Sequence, residues 1–145
     1  MWGLFLIYLT DHRSCWQEWY YEEECLLKKQ FLSSVRINHI GSTAIYSIWA
    51  KPIIDILIEI PKEQSLSDYK TLIIKNGYIC MSLKEYNMSF NKGYANKGFD
   101  ERVFHLHLRH IGDNDEFFLE IILSIIIKLQ KEYEKLKLKL WKDQI

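Results

Sequence analysis

Residues 52–60, PIIDILIEI, constrain this chain more than any other stretch. A proline opens the run and Pro61 closes it, and the residues between are mostly β-branched. Proline breaks a helix interior, and β-branched side chains suit a pleated surface, so the run reads as a strand. Strand side chains alternate between faces. Ile54, Ile56, Ile58 and Ile60 therefore share a face that has to be core. Ile53, Asp55, Leu57 and Glu59 share the other. Asp55 then sits in the middle of a core strand. Burying a carboxylate without a partner is costly, so something must meet it.

A second strand, over residues 102–110, carries the matching pattern. Phe104, Leu106 and Leu108 alternate with Val103, His105, His107 and Arg109. If the two strands are neighbours, Asp55 meets His105 or His107. An aspartate beside an imidazole is stabilised when the histidine is protonated or when both hold a metal. A structural contact that only ties the strands together is the plain alternative.

Further periodicities fill in the fold. Trp16, Trp19, Tyr20, Leu26, Leu27 and Phe31 recur at helical spacing over residues 11–31, with Glu22, Glu23 and Glu24 on the wet side. Residues 35–40 read as a strand and 43–50 as a short helix or turn. Residues 65–76 read as a helix ended by Gly77 in a left-handed cap. Residues 78–83 read as a strand, and 87–100 as a strand running into a glycine-bearing hairpin. From residue 115 onward the chain reads as helical, ending in the amphipathic KEYEKLKLKLWK. The order predicts an α/β fold of the α+β type, a mixed sheet with flanking helices. The 145 residues suit a single domain, residues 1–145.

Composition narrows the function. The formal net charge is zero, without the basic excess of a general nucleic-acid binder. Cys15, Cys25 and Cys80 are odd in number and form no C-x-x-C pair. Neither a disulfide framework nor a zinc knuckle is expected, and reduced thiols point to the cytoplasm. The apolar start, MWGLFLIYL, lacks a basic leader and is too short to span a bilayer, so a first strand or docked arm is expected. The apolar run at 117–127 is short and carries Glu120, so no membrane span is expected there.

Gly41-Ser42-Thr43 follows one strand and precedes another element. Such a turn offers free backbone N–H groups and two hydroxyls, the chemistry of a phosphate cradle. Alone it is more often just a turn. Lys51 lies close by in sequence and is a candidate to neutralise a phosphate. His39, Lys92 and Arg102 are weaker candidates to line a cleft or meet an anion. Trp49 reads as core, and His110 as the end of the strand outside the site.

HIGSTAI, AKPIIDILIEI and FHLHLRH in this order, with EYEKLKLKLWK at the end, resemble the GrpB family of nucleotidyltransferase-fold proteins. The resemblance covers nearly the whole chain. It implies a nucleotidyltransferase-like domain in which Gly41 and Ser42, with Thr43, hold phosphates and Asp55 is the first metal carboxylate.

The chain departs from that pattern in three places. Leu57 stands where a second carboxylate belongs, and Glu59 lies roughly 13 Å along the strand from Asp55, too far to share one small ion. His105 and His107 replace a later carboxylate, a donor set that suits Zn or Mn better than Mg. Ile45-Tyr46-Ser47 replaces a V-P-G-like turn, and FFLEIILSIIIKLQ replaces an F-R-D-Y-L-R-like segment, with Leu119 and Glu120 where its arginine and aspartate stand.

The expected function is binding of a nucleotide or another phosphorylated small molecule with a divalent metal (Mg, Mn or Zn), with nucleotidyl transfer as a possible activity. Asp55, His105 and His107 are the expected catalytic and metal-binding residues, and Gly41, Ser42, Thr43 and Lys51 the phosphate-binding ones. A binding module of the same fold without catalysis is the first alternative. A histidine-based phosphoester hydrolase is the second, although Arg109 takes the third alternating place of its HLHLRH pattern.

Overall fold

The run at 52–60 does form a strand, and its isoleucine face is the centre of the core. In the computed structural model, which describes residues 9–31, 34–46, 48–95, 98–113 and 115–143, Ile54, Ile56, Ile58 and Ile60 are all fully buried. Burying one such side chain contributes about 1.5–3 kcal/mol relative to leaving it in water.

The described elements are α1 (Cys15–Lys28), β1 (Arg36–Ile40), β2 (Ile53–Ile60), α2 (Leu66–Lys75), β3 (Ile79–Leu83), β4 (Asn87–Ala95), β5 (Gly98–His110) and α3 (Asp115–Asp143). The strands form one mixed sheet in the order β1-β2-β5-β4-β3. β2 and β5 are parallel, and the other neighbours are antiparallel. The mixed sheet with flanking helices is the fold class that the sequence predicts.

One face of the sheet carries α1 and α2. Trp16, Trp19, Tyr20 and Leu27 of α1, with Leu66, Tyr69 and Ile73 of α2, join the isoleucines of β2 and Phe104, Leu106 and Leu108 of β5 in one cluster. The N-terminus of α2 is capped by Ser65, whose hydroxyl accepts from the Ser67 amide. Ser65→Ala is expected to cost about 1 kcal/mol, read as a lower denaturation midpoint at unchanged slope. Gly77 follows at φ +90°, the left-handed conformation expected of it.

Several local expectations are corrected. Of the short helix or turn expected over 43–50, it is a turn that forms, one 3₁₀ turn at Ser42–Ala44. Trp49 is not core but 46% exposed. Glu23 is not on the wet side but buried at 4%, because Lys92 and Tyr78 reach in from the sheet to meet it. Lys92 is therefore engaged in an ion pair with Glu23. Arg102 pairs with Glu22 on the outside of α1 and lies over the Trp19 ring. The strand at 102–110 starts earlier, at Gly98. Residues 1–8 and the hairpin tip at 96–97 lie outside the described residues; Thr10 bridges to Ala50.

The second face of the sheet carries Asp55, His105 and His107, and α3 runs over it. Phe117 near the start of α3 stacks its ring 3.9 Å from the Arg109 guanidinium and 4.9 Å from the His107 ring. The 117–130 segment is thus continuous helix. No helix among the described residues is long and apolar enough to cross a membrane.

Candidate functional site

Strand register alone brings the chemistry together. Asp55 pairs with Ile40 across the antiparallel β1–β2 ladder, and with His105 across the parallel β2–β5 ladder. His107 is two residues further along β5, on the same face. Asp55 Oδ1 lies 3.8 Å from His105 Nδ1 and 3.7 Å from His107 Nε2. Its side chain is 30% exposed, so the carboxylate is not sealed in the core but opens onto a cavity. At those separations neither imidazole makes a short hydrogen bond to the carboxylate.

The other carboxylate oxygen faces the turn. Gly41 sits at φ +76°, and a Cβ placed there would come 2.8 Å from Asp55 Oδ2. The glycine is needed twice: for its backbone conformation and for the room it leaves the carboxylate. Ser42 follows, and its hydroxyl accepts a hydrogen bond from Lys128 Nζ on α3. Thr43 is used differently. Its hydroxyl donates to the Ile53 carbonyl at 3.0 Å and meets His39 Nε2 at 3.0 Å. Because Thr43 has given its one proton to Ile53, His39 must donate through Nε2.

His39 is turned toward α1 and stacks on Tyr20 at 4.7 Å between ring centroids, away from the cavity. Burial pushes its pKa down to about 4, against a smaller opposing pull from Asp55. A histidine kept neutral in the fold but free to protonate when unfolded costs stability as protons are added. Stability is therefore full above the ordinary imidazole value of 6.5 and declines as pH falls from there toward about 4. Thermal midpoints measured across that window should drop, and His39→Gln should flatten the drop.

His105 sits in a short relay. Its Nε2 lies 2.7 Å from the Tyr94 hydroxyl, and the two rings stack. Its pKa is lowered, first by burial and against the pull of Asp55. With the neutral ring's Nδ1 turned toward a carboxylate, the proton belongs on Nδ1, and Nε2 accepts from Tyr94.

Among the described residues no group of three or more His, Cys, Asp or Glu side chains is placed to hold a metal ion. Leu57, in the place of a second carboxylate, is fully buried at 0% exposure.

What does converge here is positive charge. A cavity of about 250 Å³ is bounded by Gly41, Ser42, Asp55 and His107 on the sheet, and by Phe117 and Lys128 of α3. An adjoining one of about 230 Å³ is bounded by Ser42, Asp55 and His105, with Lys51 and Lys128 on its rim. The Lys128 pKa is lowered, first by burial; Asp55 opposes this and Lys51 adds to it. The two lysines therefore repel one another beside a hydroxyl and a single carboxylate. A larger cavity of about 300 Å³ lies between Leu9, Trp49 and Leu136, and holds neither Asp55 nor the histidines. His110 lies apart, bonded to the Gln64 carbonyl.

Sequence reasoning missed Lys128 and Tyr94. Lys128 had one visible signal, a single cation ending the apolar run of 117–127. Tyr94 had none, because the β4–β5 register shifts between Lys92 and Tyr94 and breaks the simple alternation.

Comparison with known proteins extends this picture. The model of the GrpB protein family matches residues 6–144. The chain is 36% identical over 99 residues to the UPF0157 protein YqkA of Bacillus subtilis, covering 68% of this chain and 28% of that protein. It is 29% identical over 139 residues to the glutamate-rich protein GrpB of Alkalihalophilus pseudofirmus, covering 90% of this chain and 79% of that one. The crystal structure of the conserved protein GrpB from Enterococcus faecalis superposes with a TM-score of 0.63 at 23% identity, covering 76% of this chain and 66% of that one. The chain thus spans little more than a quarter of the length of the Bacillus protein.

Proposed function

The chain belongs to the GrpB family, and from that premise we propose that it binds a phosphorylated small molecule, with a nucleotide as the first ligand to test, in the cleft between the Gly41–Ser42 turn, Asp55 and α3. One observation carries this reading. Lys128 donates to the Ser42 hydroxyl at a partly buried cavity that Lys51 also lines, and the Lys51 charge adds to the burial that lowers the Lys128 pKa. An anion between them relieves that repulsion and accepts from three donors, a charge-assisted arrangement stronger than neutral hydrogen bonds.

Asp55 lies beside this anion position and would repel an unaccompanied phosphate. A divalent ion brought by the ligand's own phosphates resolves the conflict, since Mg²⁺ is usually held by one or two carboxylates together with substrate phosphates. His105 borders the same cavity as the two lysines, and His107 borders the adjoining one. A binding module without nucleotidyl transfer is the form of this reading that Leu57 favours: a fully buried leucine offers no second carboxylate for two-metal chemistry.

The test is thermal shift with nucleoside triphosphates and inorganic phosphate, each with and without Mg²⁺, Mn²⁺ or Zn²⁺. A ligand at about 100 times its dissociation constant stabilises by about 2.7 kcal/mol. Lys128→Met should abolish the shift while leaving the unliganded protein folded. Asp55→Asn should abolish its dependence on the divalent ion. A folded protein that shifts with none of these ligands, or a shift indifferent to Lys128→Met, rejects the proposal.

A further inference from the structure

The outer flank of α3 carries a pattern that the site does not use. Leu119, Ile122, Ile126, Leu129, Tyr133, Leu136 and Leu140 follow one another at alternating steps of three and four residues. That is the seam of a coiled coil, unbroken over its whole length of about 32 Å. All seven are between 44 and 66% exposed. Phe117, Ile121, Ile125 and Lys128 take the sheet side of the helix, so the seam lies on a different flank, with only Leu136 at its edge also bordering the cavity beside Leu9 and Trp49. A contiguous apolar stripe of this kind marks a surface that a partner covers.

We propose that α3 pairs with α3 of a second copy of this chain, in antiparallel orientation. The charge distribution along the helix names both the occupant and its direction. The first half of α3 reads DEFFLEIILSIII and is acidic; the second half, from Lys128, reads KLQKEYEKLKLKLWKD and carries six lysines against three acids. A parallel pair lays the two lysine-rich halves side by side. An antiparallel pair lays each against the acidic half of the other copy and also opposes the helix dipoles. The pairing covers the apolar seam and braces the helix that brings Lys128 to Ser42. It stands whether or not the cleft binds a phosphorylated ligand.

Sedimentation equilibrium of the full chain tests it, with a dimer mass that dissociates on dilution as the expected result. The Ile126→Glu, Leu129→Glu double variant should weaken pairing by more than about a hundredfold, since four carboxylates would meet in the seam. Leu138→Glu, which changes an equally exposed leucine off the seam, should leave the dimer intact. Orientation is read in a Cys25→Ser background by mixing Leu119→Cys and Leu140→Cys chains with a short bismaleimide. Cross-links between unlike chains are expected, and each variant alone should link poorly to itself. A monomer at all concentrations, an aggregate of no fixed size, or a dimer that ignores the seam variant overturns the pairing. Efficient self-linking of each variant overturns the antiparallel orientation.

Discussion

Gly41→Ala should lower stability by about 2 kcal/mol and abolish ligand binding in the cleft. The backbone there, at φ +76° and ψ −169°, lies in a region that only glycine occupies comfortably. Holding another residue there costs of order 1–3 kcal/mol. The added Cβ would also stand 2.8 Å from Asp55 Oδ2, so the carboxylate has to move off its place beside His105 and His107. In a domain of this size the thermal midpoint should fall by about 6 °C or more.

The two causes separate in a double-mutant cycle. In a chain already carrying Asp55→Ser, Gly41→Ala should cost about 1 kcal/mol less, because backbone strain is then the main cost. Equal cost in both backgrounds, measured by urea denaturation, would mean that the carboxylate yields freely and that the turn does not hold it in place.

The second large effect lies outside the cleft. Lys92→Met should destabilise by about 3 kcal/mol, the cost of leaving a buried charge without its partner. Glu23 accepts from Lys92 Nζ at 2.7 Å and from the Tyr78 hydroxyl at 2.8 Å, and its side chain is 5% exposed. Burial, and then the Glu23 charge, push the Tyr78 phenol up, so Tyr78 remains a donor. The Lys92 ammonium also lies over the Tyr78 and Phe104 rings.

Removing the lysine strands a carboxylate between α1 and the sheet, where water does not replace the lost donor. Replacing the whole group, Glu23→Leu with Lys92→Met and Tyr78→Phe, should recover most of the loss, since an apolar set of similar volume needs no partner. If Lys92→Met alone unfolds at the wild-type urea concentration, the pair is solvated in solution and the triple variant should gain nothing.

These two sites illustrate what could be read in advance. Asp55 was legible because a strand's two-residue period makes one charge among isoleucines conspicuous. The meeting with His105 and His107 followed from a matching alternation on a second strand. Glu23 was not legible. It sits among Glu22, Glu23 and Glu24 in a run that reads as solvated surface, and the helical period gave no reason to turn one of the three inward. Only Lys92 and Tyr78, brought from the sheet, make its burial tolerable. Trp49 was misread for the converse reason: size and hydrophobicity favour burial, but the residue stands on a connecting segment beside the flank of α3, where its amide donates to Glu132.

The sequence by itself determined the strands and helices, the face of β2 that is core, the family, and the pairing of a carboxylate with imidazoles. Each of these rests on local periodicity or on a short motif, which the order of residues carries without reference to distant parts of the chain. The tertiary structure alone decided that Lys128 reaches Ser42 from 86 positions away, that Thr43 is held by His39 and Ile53, that Tyr94 supports His105, and that α3 leaves an apolar seam uncovered. Those facts depend on how a helix lies across a sheet, and on where a strand's register shifts. Side-chain period is blind to both, because it records which residues share a face and not what that face meets.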